Sequence, residues 1–294
     1  QNENVVTITR SHDQGVTWSE PQVLFSHACR GCWSTELFTD TDKPFSVVQT
    51  YEANSHYREL QTYRSFPDDS GEHWTEPETI RGTVNGCSLR QGIVMSNGEF
   101  LFPLYWQEVY SNFSFAFDGR MAFNVKNWPF VSGVGISEDG ETYTRYGDFR
   151  ADVSLWEPNA VEVEPGHIIV YCRSNRGCLY RTESRDFGRT WTQAAPSDLP
   201  NPDTKFTLIK IHKKIFLINN FRCGSTSGPR TDLGIASSDD GLHFKHVLDL
   251  EPKEEWWFYP HAFADENEQM LYVAYENMKE HRLAKIPYSE LDLK

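Results

Sequence analysis

A chain of 294 residues is long enough for one large all-β domain or two ordinary ones, and its 42 acidic against 28 basic side chains leave a net charge of −14. That charge gives the protein no electrostatic reason to seek a nucleic-acid backbone or an anionic lipid surface, and no window approaches the ~20 consecutive apolar residues of a membrane span. An anionic ligand would have to be gripped by locally placed arginines.

The first ten residues contain no signal-peptide core, and Val5 to Arg10 already alternates as a strand. Directly after it comes Ser11-His12-Asp13-Gln14-Gly15-Val16-Thr17-Trp18, a turn motif that recurs as Ser184-Arg185-Asp186-Phe187-Gly188-Arg189-Thr190-Trp191. Looser copies are read at Asp69-Ser70-Gly71-Glu72-His73-Trp74, at Ser137-Glu138-Asp139-Gly140 and at Ser237-Ser238-Asp239-Asp240-Gly241. The aspartates taken as turn centres are 13, 69, 139, 186 and 239, so the spacings are 56, 70, 47 and 53. Such a period suits one four-stranded propeller blade. Asp accepts hydrogen bonds from nearby backbone N–H groups and Gly supplies a positive φ, so these carboxylates read as turn staples rather than catalysts.

Between the motifs, strands are predicted over 45–50, 60–64, 86–94, 100–105, 130–136, 160–163, 168–172, 179–182, 206–211, 215–219 and 232–236, and after the last motif over 259–264, 270–275 and 282–287. No helical periodicity longer than about two turns stands out. The fold class expected is all-β, a six-bladed β-propeller forming a single domain over 1–294. Its first blade enters at the third strand, so either upstream strands are missing or the C-terminus supplies them; the latter would close a ring of five.

Cys29-Arg30-Gly31-Cys32 has the spacing of half a zinc site, but no second pair exists. Neither a metal nor another cofactor is expected. Cys172 and Cys178 flank a predicted hairpin and are candidates to pair across it. The 9 Trp, 13 Tyr and 19 Phe suit strand packing, sugar stacking, or both.

These repeats resemble the sialidase superfamily, the bacterial neuraminidase repeat proteins, whose signature is the Asp box. Two further stretches sharpen the likeness. Trp156-Glu157-Pro158-Asn159-Ala160-Val161-Glu162-Val163 running into Ile168-Ile169-Val170-Tyr171-Cys172-Arg173 is similar to the stretch where a catalytic Glu opens one strand and an Arg closes the next. Arg230-Thr231-Asp232-Leu233 and Phe258-Tyr259-Pro260-His261 resemble the places where the family puts a second arginine and its nucleophilic tyrosine. The resemblance implies an exo-acting glycoside hydrolase that releases a terminal acidic sugar from a glycan. Tyr259 would be the nucleophile, Glu157 its base, and Arg173 with Arg230 the carboxylate clamp. Those residue types suit the chemistry. A sugar with a carboxylate on its anomeric carbon repels an anionic nucleophile, whereas a neutral phenol avoids that repulsion once a base takes its proton. Arginine forks bind the carboxylate.

The pattern is also incomplete. The family has an arginine on its first inner strand, which would precede Gln1, and an aspartate acid just before the first box. Glu3 is the only carboxylate there, so it stands as the candidate acid unless the acid is absent or replaced. His261 is a further candidate for the pocket, and Tyr105, Trp106 and Gln107 are candidates to line a sugar site, with core packing as the equal alternative. Two rival functions share the fold. One is a lyase or hydrolase for another carboxylated sugar such as a uronate, with His261 or Tyr259 abstracting the α proton. The other is a non-catalytic binding propeller. A secreted or periplasmic location is expected, with the cytoplasm as the alternative. Geometrically, Arg173 and Arg230 should converge on one site, and the box aspartates should lie away from it.

Overall fold

The computed structural model describes residues 4–39, 41, 44–51, 60–107, 130–222, 229–291 and 293. Glu3 and Cys223 lie outside them. The described regular structure is β throughout, apart from one 3-10 turn at Tyr288–Glu290, and no helix among the described residues is long and apolar enough to cross a membrane. The chain forms two compact units, Gln1–Asp148 and Phe149–Lys294.

In the first unit, β1 (Val6–Ile8) and β2 (Gln22–Phe25) make a two-stranded antiparallel ladder around the first box. Strands β3 (Gly31–Phe38), β4 (Phe45–Tyr51), β5 (Gln61–Ser65) and β6 (Glu78–Thr79) form an up-and-down sheet in that order. A six-stranded sheet joins β7 (Arg81–Gly82), β8 (Ser88–Leu89), β9 (Ile93–Val94), β10 (Phe100–Gln107), β11 (Phe130–Ser137) and β12 (Thr142–Phe149).

The second unit has two four-stranded meanders and one of three strands. They are β13 (Trp156–Glu164), β14 (His167–Arg173), β15 (Cys178–Ser184) and β16 (Ala195–Pro200); then β17 (Thr207–Ile211), β18 (Lys214–Asn220), β19 (Leu233–Ser238) and β20 (Lys245–Asp249); then β21 (Phe258–Asp265), β22 (Met270–Glu276) and β23 (His281–Pro287). Five blade-like sheets are therefore seen, beside the β1–β2 ladder.

Alternation explains how these sheets stack. Along β18, Ile215 and Leu217 enter a core with Val161, Ile169 and Tyr171 of the preceding sheet and Leu208 of their own. Phe216 and Ile218 enter the next core, with Ile235, Leu271, Val273 and Ile286. A strand that is apolar on both faces is what a sheet buried between two others requires. Several of the strands that sequence reading missed are polar. Strand β3 carries Ser34, Thr35 and Glu36, and β6 and β20 have no buried residues, so neither alternation nor an apolar run marks them. The expected strand over 86–94 is broken into β8 and β9.

The box turns are carboxylate staples. Asp186 Oδ1 accepts the N–H groups of Arg189 at 3.0 Å and Thr190 at 2.8 Å, and its Oδ2 accepts the Thr190 hydroxyl at 2.6 Å. Asp13 repeats that pattern with Val16 and Thr17. Hydrogen bonding of the anion holds Asp13, Asp139 and Asp186 at about 2, below the usual carboxylate value. Two centres differ from those read in the sequence. Asp68, not Asp69, accepts from Ser70 and His73, and Asp240, not Asp239, accepts from Leu242 and His243. At the last box the register is set by Ser238, whose hydroxyl donates to Asp240 Oδ1 two residues on, as Ser184 donates to Asp186.

Three of the boxes also latch onto the preceding sheet through a glycine carbonyl. Arg10 Nη2 donates to Gly71 O at 2.7 Å, Arg64 Nη1 to Gly140 O at 2.9 Å, and the Tyr171 hydroxyl to Gly241 O at 2.9 Å. Of the box tryptophans, Trp191 packs at 4.9 Å centroid distance from Phe149, whereas Trp18 is 51% exposed. Cys172 and Cys178 are free thiols, because Cys172 lies opposite Tyr180 in the β14–β15 register rather than opposite Cys178. Cys29 and Cys32 are also free.

Candidate active site

The first strands of two sheets in the second unit share a local defect. In β13, Trp156 pairs with Arg173 and Asn159 with Tyr171, so Glu157 and Pro158 face a single residue of β14. In β21, Phe258 pairs with Glu276 and His261 with Ala274, leaving Tyr259 and Pro260 opposite one residue of β22. Both are β-bulges, and both place a proline where the ladder is already broken and no N–H is needed. The residue before each proline is left-handed, with φ 43° at Glu157 and 56° at Tyr259. Asp203, which precedes β17, has φ 57°. Ser34 stands at the corresponding β3 bulge of the first unit, with φ 35°. Non-glycine residues in this region cost roughly 1–3 kcal/mol each and persist where surrounding structure over-determines them, typically at functional sites.

What over-determines them here is a set of buried side-chain hydrogen bonds. Asn159 Nδ2 donates to Phe206 O at 3.1 Å, tying β13 to the start of β17. The Thr207 hydroxyl donates to Pro260 O at 2.6 Å, tying β17 to the β21 bulge. Asn220 Nδ2 donates to Trp257 O at 2.8 Å. The turn carrying Asp203 is clipped from inside, since the fully buried Asn201 accepts from Thr204 N and donates to Thr204 O and to Asn219 Oδ1. Such a side-chain-to-backbone turn is what Asn-Pro-Asp-Thr favours.

Four of the sequence-derived residues meet around that turn. Arg173 Nη1 donates to Glu157 Oε2 at 2.6 Å, and Arg173 Nε donates to Asp203 Oδ1 at 2.8 Å. The Arg173 guanidinium lies 5.2 Å from the centre of the Trp156 ring. Arg230 Nη2 donates to the main-chain oxygen of Asp203 at 3.3 Å, with its guanidinium 5.1 Å from the Phe258 ring centre and 4.8 Å from that of Tyr259. Burial works against the Arg173 cation, but the charges of Glu157 and Asp203, and of Tyr259 when ionised, outweigh it and hold the guanidinium above its ordinary range.

The side chains of Arg173, Glu157 and Asp203 are only 9%, 17% and 15% exposed, so the cluster is largely withdrawn from water. Formally, two arginines are balanced by two carboxylates beside a neutral phenol. Arg173 Nη2, and Arg230 Nε and Nη1, have no hydrogen-bond partner among the described residues. The site can therefore offer donors to an anion, hold a carboxylate base, and present a phenol at one place.

The other candidates are placed differently. His261 pairs with Ala274 on β21, just beyond the bulge. Tyr105 is 5% exposed with its ring 5.6 Å from Phe130, and Trp106 is covered by the Arg145 guanidinium at 4.3 Å. Packing accounts for both aromatics, and Gln107 ends the same strand in the first unit. Asp203 was given no role in the sequence reading; the signal that could have found it is its Asn-Pro-Asp-Thr turn motif. Within the β13–β16 sheet the box is remote from the cluster: Ser184 of the box lies opposite Ile168, whereas Arg173 lies at the other end of β14. Among the described residues no group of three or more His, Cys, Asp or Glu side chains is placed to hold a metal ion.

Residues 2–273 match the family of the BNR repeat-like domain. The chain belongs to that family. This BNR repeat-like domain is 26% identical over 207 residues to a sialidase of Bacteroides fragilis, a stretch covering 65% of this chain and 35% of the relative. It thus spans about a third of that curated protein's length. Among solved structures it resembles a Hadza microbial sialidase (TM-score 0.73, 21% identity, 96% of this chain and 59% of that one). It also resembles Trypanosoma rangeli sialidase in a complex with 2,3-difluorosialic acid described as a covalent intermediate (TM-score 0.68, 15% identity, 99% and 51%). At these identities the likeness shows the fold, a propeller-like all-β arrangement of which five blade sheets are seen.

Proposed function

We propose that this BNR repeat-like domain carries the nucleophile side of an exo-acting, retaining glycoside hydrolase site for a terminal acidic sugar, sialic acid or a close relative. One observation carries the reading: Glu157, Arg173, Arg230 and Tyr259, taken from four separated segments, come together around the Asp203 turn. Arg230 and the open edge of Arg173 would take the sugar carboxylate as charge-assisted donors. The Tyr259 hydroxyl would attack the anomeric carbon on the face opposite the leaving oxygen, its proton passing to Glu157 as the bond forms. The leaving oxygen needs a proton from an acid on the other face. Glu3 remains the sequence candidate for that role. A six-bladed ring, with β1–β2 as part of the sixth blade, belongs to the same proposal.

The test is Tyr259→Phe, which removes one oxygen and little packing. Release of the phenol from an aryl sialoside should fall by several orders of magnitude, with the melting temperature unchanged. Full activity in the Phe variant would overturn the assignment. A second reading, a non-catalytic acidic-sugar binder, is favoured by one feature, the sharing of Arg173 between two carboxylates. It predicts sugar binding that survives Tyr259→Phe, with no turnover in either protein.

A further inference from the structure

We infer that Asp203 is a positioning residue, which locks Arg173 so that one guanidinium edge stays available to a ligand; as a role toward the sugar this rests on the function proposed above. The guanidinium has donors on three nitrogens. Asp203 takes Nε at 2.8 Å and Glu157 takes Nη1 at 2.6 Å, so the plane is held from two different carboxylates and Nη2 is left over. An arginine facing one carboxylate prefers a bidentate fork, with two parallel N–H···O bonds. Without Asp203, Arg173 is free to turn about its side-chain torsions and close such a fork on Glu157. That single rearrangement would withdraw the donor edge from an anion.

Three features make Asp203 suited to holding rather than merely neutralising. Its backbone is left-handed and clipped by the buried Asn201 side chain, so the carboxylate has little freedom. Its own main-chain oxygen receives Arg230 Nη2, so one residue sets the placement of both arginines. Its charge also completes the balance of two cations by two anions.

The experiment compares wild type, Asp203→Asn and Asp203→Ala by two readouts. The first is hydrogen exchange of the Arg173 Nε–H, observed by nitrogen-15 NMR and assigned by its loss in Arg173→Lys. The second is KM and kcat on a methylumbelliferyl sialoside, with binding of free N-acetylneuraminic acid measured by calorimetry. Wild type should show a protected Nε–H. Asp203→Asn keeps a neutral acceptor in place and should exchange faster; Asp203→Ala should lose protection. KM and the sugar dissociation constant should rise roughly tenfold or more in Asp203→Ala and less in Asp203→Asn, the order expected when orientation is lost. If Asp203→Ala does not fold, Asp203→Asn decides alone. Unchanged Nε–H exchange in the folded variants overturns the positioning role whatever the sugar does. Wild type that neither binds nor cleaves the acidic sugar, with Nε–H exchange still dependent on Asp203, overturns the proposed function and leaves the positioning role standing.

Discussion

Replacing Arg173 by methionine asks what the central cation contributes. Methionine roughly fills the volume of the arginine stem but leaves Glu157 and Asp203, 17% and 15% exposed, without the guanidinium now 2.6 Å and 2.8 Å from them. Removing one partner of a buried ion pair costs about 3–5 kcal/mol, because the other charge stays desolvated. Two partly wetted carboxylates relax part of that, so ~3 kcal/mol at pH 7.5 is expected. For a domain of this size that is a drop of roughly 6–12 °C in melting temperature. The pH dependence supplies the sharper check. In the variant the two anions repel and are desolvated, so a carboxyl pKa is raised in the folded state. A group with a raised folded pKa destabilises as pH climbs through its unfolded value, and the penalty fades on acidification. The gap from wild type should therefore shrink between pH 7.5 and pH 5 when followed by differential scanning fluorimetry. A variant that melts within 1 °C of wild type at pH 7.5, or a gap that widens toward pH 5, would refute the reasoning.

Other expectations follow from single contacts. Tyr171→Phe removes the buried hydroxyl that donates to Gly241 O at 2.9 Å and should cost about 1–2 kcal/mol in a urea titration, with no change in sugar binding. Asp186→Asn should flatten acid unfolding. The wild-type carboxylate sits at about 2 when folded against 3.8 ordinarily, so its stabilisation is present above pH 4 and lost as pH falls toward 2, a slope the amide lacks. Gly234→Ala would set a Cβ 2.8 Å from Leu248 O and should open the β19–β20 edge, seen as faster amide exchange along β20. Asn201→Ala removes the clip on the Asp203 turn and should weaken acidic-sugar binding more than it lowers the melting temperature.

The repeat was legible in the sequence because it is local. A Ser-x-Asp turn with a glycine after it makes its own hydrogen bonds within a few residues, so it reads the same in any context, and the apolar runs of β14 and β18 announce strands buried on both faces. Where two aspartates stand side by side, as at 68–69 and 239–240, the residue types alone did not say which one staples; the serine partner did, and that is visible only with hydrogen bonds in hand. The polar strands β3, β6 and β20 escaped for a related reason: their pairing comes from the neighbour's edge, not from their own pattern. Glu157, Arg173, Arg230 and Tyr259 were found through resemblance of short motifs, but their meeting is a tertiary fact. It depends on the ties from Asn159, Thr207 and Asn220 between inner strands far apart in the chain. Asp203 shows the limit most clearly. Its contact with an arginine 30 residues earlier was not legible, because an ion pair between the end of one strand and the loop before another sheet leaves no period, spacing or motif in the sequence.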